Sequence, residues 1–158
     1  MKRIALLPVL LSFFFLFAGT ALVQGQPVMR EKAKKVINRT AIVVYAAHKQ
    51  TIANQVFTGN LKKAVIHQRI AIKLFNEGKY MKAIHHSRRA RELARLQIEA
   101  NHGTFPAGFE PTSDENPEGP APTNEQLDDE ANTSEYNAAT GDDKQLASES
   151  LDDMEIKE

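Results

Sequence analysis

Residues 61–100 read LKKAVIHQRIAIKLFNEGKYMKAIHHSRRARELARLQIEA, and the periodicity of this stretch decides the fold. Its first half has apolar side chains on two sides of a helix. Leu61, Ala64, Val65, Ala71, Ile72 and Phe75 make one side; Ile66, Ile70 and Leu74 make the other. A helix with two apolar sides is normally held between two neighbours. The second half has one narrow apolar face: Tyr80, Ala83, Ile84, Ser87, Ala90, Ala94 and Ile98. Gly78 between the halves is a helix stop signal, and Asn60 is a fitting N-cap. These signals predict helices over 61–76 and 79–101.

Upstream, Ala33, Val36, Ile37, Thr40, Val43, Val44, Ala47 and Thr51 recur at helical spacing and predict a helix over 30–57. Its AIVVYAA segment, Ala41–Ala47, has the composition of a strand. The flanking helix formers and the unbroken stripe favour helix. Gly59 separates the first helix from the second, and Gly103, ahead of Pro106, closes the third. Such short turns make consecutive helices antiparallel. The expected fold is all-α, a small three-helix unit over 26–103 with the second helix in the middle.

The stretch from about Ala64 to Gln97 resembles a single tetratricopeptide-like helical hairpin. The matching residues are Ile70 and Ala71 in its first helix, Gly78 and Tyr80 at the turn, and Ala83, Ile84, Ala90 and Leu93 in its second. Small Ala71, Ala83 and Ala90 let the helices approach closely, Gly78 supplies a left-handed turn and Tyr80 wedges the hairpin. His67 and Ser87 stand where that family favours large aromatics, and Arg95 stands where it favours Pro. No second copy occurs at a 34-residue offset upstream, so the unit is one hairpin plus a packing helix, not a solenoid. The resemblance implies a helical, non-catalytic, protein-binding module.

The two ends of the chain differ from this unit. Residues 1–25, MKRIALLPVLLSFFFLFAGTALVQG, have the form of a secretory signal peptide. Lys2 and Arg3 precede an apolar run from Ile4 to Phe17, and small-x-small patterns place cleavage after Gly25, with Ala21 second. The expected location is exported, periplasmic or secreted. The alternative is an uncleaved anchor, because the apolar stretch counted to Val23 is just long enough to span a bilayer. At the other end, residues 104–158 carry 2 Lys/Arg against 16 Asp/Glu, a net charge of −14. Residues 26–103 carry 16 against 4, a net charge of +12. The acidic part holds six Leu, Ile, Val or Phe in 55 residues, too few to offset its conformational entropy as an independent unit. It is expected to be a disordered acidic tail. Phe105–Pro111 is its one adhesive spot near the start. Leu146, Leu151, Met154 and Ile156 could form a short helix on a partner.

The chemistry available is limited. The chain has no Cys, which excludes disulfides, thiolate zinc sites, a cysteine nucleophile and a lipidated cysteine. It has no phosphate-cradling glycine loop, no GxSxG and no HExxH. The four acids of the basic part, Glu31, Glu77, Glu92 and Glu99, offer no acid/base pair. His48, His67, His85, His86 and His102 include no pair at the three- or four-residue spacing of a shared ligand face, so they are expected to be exposed or at packing edges. No enzyme, cofactor or metal is expected.

One candidate site remains, the basic face of the third helix. Lys79, Lys82, His85, Arg88, Arg89 and Arg95 lie opposite its apolar face, with Arg91 at the edge. Such a face binds phosphates, lipid head groups, anionic polysaccharide or an acidic protein. Alternatively it is a solvated face, with Glu92 and Glu99 pairing to Arg88 and Arg95 one turn back. The expected function is an exported, non-enzymatic protein-binding or adaptor module that meets a partner or another copy of itself. The alternative is a polyanion or membrane-surface binder whose basic helix face is covered by its own acidic tail. Export disfavours nucleic acid as the partner.

Overall fold

The computed structural model describes residues 20–116 and 119–157. The apolar run Ile4–Phe17 of the expected signal peptide lies outside the described residues. The described residues are all-helical and contain no strand. Three long helices lead: α1 (Thr20–Asn54), α2 (Asn60–Asn76) and α3 (Tyr80–Ala100). A 3-10 turn at Ser113–Glu115 follows, then α4 (Asn124–Thr133), α5 (Glu135–Ala139) and α6 (Asp143–Leu146).

Helix α1 starts earlier and stops sooner than its apolar stripe predicts. It contains Pro27 and runs through the expected cleavage point after Gly25. It ends where Gln55 turns left-handed at φ 57°. The stop is pinned from α3: Asn101 Oδ1 accepts from Val56 N–H, while Asn101 Nδ2 and Gln97 Nε2 donate to Val56 O. The helix stops downstream follow the glycines, with one change of role. At Gly78, φ 75°, Gly78 N–H donates to Phe75 O and Lys79 N–H to Leu74 O, a Schellman closure. At the end of α3 the left-handed residue is His102, φ 52°, not Gly103. Gly103 matters for space instead: a Cβ there would lie 2.7 Å from Gln50 Cγ on α1. The N-cap of α2 is Gly59 rather than Asn60; Gly59 has no side chain to cap the helix, and Thr58 Oγ1 accepts Asn60 N–H at 3.3 Å.

The three long helices run up, down and up. Helix α3 is the central one, packing along both α1 and α2, which touch each other less. This corrects the expectation that α2 sits in the middle. The main core joins Val43, Val44 and Ala47 of α1, Leu61, Ala64 and Val65 of α2, and Leu93, Ala94 and Ile98 of α3. Its other end joins Val36 and Ile37, Ala71 and Phe75, and Ala83 and Ile84. Full burial of each large aliphatic stabilises the fold by about 1.5–3 kcal/mol. Small Ala83, Ser87, Ala90 and Ala94 let α3 lie close to both neighbours.

The second apolar side of α2 has a different partner from the one expected. Ile66 and Ile70 pack with Ala131 of α4, and Tyr136 of α5 covers them. The acidic segment is therefore packed on the bundle, where the sequence predicts a disordered tail. Leu146, Leu151 and Met154 enter the main core, and Phe105 and Phe109 lie against it. Composition measures what a segment can bury against itself. This one buries its few apolar side chains against a surface already formed, and its carboxylates meet a bundle of opposite charge.

Candidate functional site

Starting at the residues, the polar side chains between the helices form one network. Gln68 donates to Ile37 O and Met154 O, and Ser87 Oγ donates to Gln68 Oε1. Arg91 donates to Thr40 Oγ1, Val36 O, Phe109 O and Glu115 Oε2. Arg91 and Glu115 are buried to 2% and 1% exposure, at 2.7 Å. Arg39 Nε lies 2.7 Å from the other Glu115 oxygen, off the hydrogen-bond line but within ion-pair reach. Arg91, placed by the sequence at the edge of a solvated face, is thus a core residue. Burial pushes its pKa down and Glu115 opposes that shift.

From this anchor the acidic segment crosses the basic bundle as a strap. Lys35 pairs with Asp114 and Lys32 donates to Asn116 O. On α4, Asp128 receives Arg89 Nε and Nη2 at 2.9 and 2.8 Å. The carboxyl is held below its usual range chiefly by that guanidinium. Lys73 pairs with Glu135, and Arg69 reaches Thr140 and Asp153. Farther on, Asp143 of α6 accepts Gly59 N–H at 2.6 Å and Lys62 N–H at 2.8 Å. A carboxylate from the acidic segment thereby caps α2, where free N–H groups and the helix dipole favour negative charge.

The strap is not uniform. Its ends are deeply set, with Glu115, Asp143, Leu146 and Met154 all buried. Between them, α4 and α5 bury only Leu127 and Ala131. Helix α4 is locally well made, since Thr123 and Gln126 form a reciprocal capping box. Beneath it lie two histidines. His67 Nδ1 and His86 Nδ1 are 3.0 Å apart; His67 Nε2 faces Asp128 Oδ1 and His86 Nε2 faces Glu130 Oε2, each at 3.1 Å. Both rings are 1% exposed, which corrects the expectation of exposed or edge histidines. Desolvation pushes His67 down to about 4, with His86 next in effect and Asp128 opposing. Desolvation lowers His86 as well, opposed by Glu130. The pair is 19 residues apart in sequence, so no single-helix spacing signals it. The hairpin register brings it together.

The six candidate cations do not form one patch. His85, Arg88, Arg89 and Arg95 line a groove of about 590 Å³ between α3 and the strap, with Arg91, Phe105, Pro111 and Leu127 in its walls. Arg89 is committed to Asp128 and Glu92, and Arg95 to Glu99. Arg88 has no hydrogen-bond or ion-pair partner among the described residues, and it joins burial in lowering His85. Lys82 lines a neighbouring groove of about 350 Å³, separated from the first by Pro122 and Leu127. Lys79 stands apart at the α2–α3 turn, paired with Glu77. No cluster of three or more metal-ligating side chains occurs among the described residues, and none of their helices is long and apolar enough to cross a membrane.

Compared with known proteins, the chain matches no family model, no curated sequence and no solved structure.

Proposed function

We propose that this protein is an exported, non-enzymatic helical module that binds acidic protein segments, and that its own acidic strap occupies the binding face in cis. The observation that carries this reading is the seating of α4 on α3, with Asp128 clasping Arg89 and Leu127 filling the wall between the two basic grooves. The strap is in effect a tethered ligand. It supports a ligand chemistry of closely spaced carboxylates, here Asp128 and Glu130, beside an apolar anchor, Leu127. Tethering gives such a ligand a high effective concentration, so an outside segment must displace it. The uneven burial of the strap also suits exchange. The deeply buried ends can stay in place while the shallow stretch over α4 and α5 lifts.

The resemblance of the α2–α3 hairpin to a tetratricopeptide unit supports the same style of function. For export, the support is the amino-terminal pattern together with Pro27. In a chain cut after Gly25, that proline would stand in the first turn of α1, where its missing N–H costs nothing.

The test is binding of fluorescently tagged poly-glutamate at low salt by the full chain and by the D128N/E130Q variant. Weakening the strap should tighten poly-glutamate binding several-fold, and adding Arg88→Ala should undo that gain. If neither chain binds, or if both bind equally, the basic face is not a site for acidic segments.

A further inference from the structure

The His67–His86 pair lies where the strap meets the bundle, and its hydrogens can be counted. Three contacts run in a line: Asp128 Oδ1 to His67 Nε2, Nδ1 to Nδ1, and His86 Nε2 to Glu130 Oε2. Each contact has room for one hydrogen, so the docked pair holds at most three. Two imidazolium rings carry four. The fourth would set two Nδ1–H groups head to head at 3.0 Å, with two positive rings buried side by side.

We infer that the pair is an acid-opened latch: the clash is between α2 and α3, but both rings are buried beneath α4, so lifting α4 is what lets them turn apart and hydrate, and the fourth hydrogen favours the lifted state that bares the basic face. This inference rests on the reading of the strap as a removable cover. The surroundings give the second positive charge little help. From α3, Arg89, Lys82 and His85 are all cationic or able to become so; from α2, Lys63 lies at the mouth. Among the described residues, the carboxylates within hydrogen-bond reach of the rings are Asp128 and Glu130 of α4, and Asp128 is already shared with Arg89. Once α4 lifts, both rings reach solvent and titrate near the ordinary histidine value of about 6.5. The undocked form then binds more protons than the docked form as pH falls from about 6.5 towards 4, so acid favours release. An exported protein that meets mildly acidic surroundings would then present its basic groove to acidic segments there and keep it covered at neutral pH.

The experiment is an NMR titration of the full chain from about pH 7.5 to 4 at low salt, following ring nitrogens of His67 and His86 and backbone amides of α4. At neutral pH α4 should be docked, with no more than one of the two rings doubly protonated. In acid the Leu127–Ala131 amides should move to unstructured positions as both rings become imidazolium, while α2 amides stay folded. His86→Gln removes the head-to-head clash and should shift α4 release down by about one pH unit or more, towards carboxylate titration. Docking that persists to pH 4, or an unchanged midpoint in H86Q, overturns the latch but leaves the strap intact. An undocked α4 at neutral pH overturns both the latch and the covered-face reading. If H86Q does not fold, two imidazolium rings seen in a still-docked wild type overturn the latch. Stoichiometric zinc uptake between the two Nδ1 atoms at neutral pH also overturns it, in favour of a metal bridge.

Discussion

Glu115 is 1% exposed and stands between two guanidinium groups, Arg91 and Arg39. Removing one member of such a buried cluster leaves uncompensated charge, which costs about 3–5 kcal/mol. Glu115→Gln keeps the shape and should lower unfolding stability by about 3 kcal/mol in a urea titration. A change under about 1 kcal/mol would mean that water reaches the cluster. Little of this was legible beforehand. Arg91 falls one position off the apolar stripe of α3, so periodicity places it at an edge, and Glu115 lies in a stretch whose composition reads as solvated. Only the approach of two distant segments turns both into core residues. His67 and His86 follow the same logic: each is visible as an unusual residue on its own helix, and the contact between them is not.

At the scale of elements, the helices of the bundle were legible because each carries its own stripe, and α2 also its own stop at Gly78; the end of α1 is instead set from α3. The AIVVYAA segment inside α1 shows the stripe prevailing over strand propensity. The short helices of the acidic segment were missed, because its low apolar content reads as a disordered tail; the structure shows Thr123 with Gln126, and Asp142 with Gln145, closing capping boxes at their starts. The N-terminus of α2 is the sharpest case, since its cap comes from Asp143, more than eighty residues downstream in the chain. Asp143→Ala leaves those N–H groups without a partner and should cost about 1–2 kcal/mol. Hydrogen exchange should quicken first at Leu61–Lys63, and exchange unchanged there would show that water serves equally well as the cap.

Over the whole molecule, a +12 bundle and a −14 segment fold onto each other, which is why the formal net charge of zero conceals a strongly polarised chain. The strap over α4 and α5 is held mainly by part-exposed ion pairs, each worth about 1 kcal/mol or less, together with Leu127 and Ala131. Salt at about 1 M shortens the screening length to about 3 Å. It should therefore loosen residues 124–139 and leave 61–76 protected, as read by hydrogen exchange. Equal loss of protection in both stretches would mean that strap and bundle open as one unit. The sequence by itself determined the helical class, the three long helices and the segregation of charge, because these depend on periodicity and composition within a local stretch. Tertiary structure decided that α3 is the central helix, that the acidic segment is packed, and which cations are spent on the strap. It also decided that two histidines meet beneath the strap. Those outcomes depend on which surfaces approach across long stretches of chain, and a buried ion pair or a borrowed helix cap leaves no mark in the local pattern of either partner.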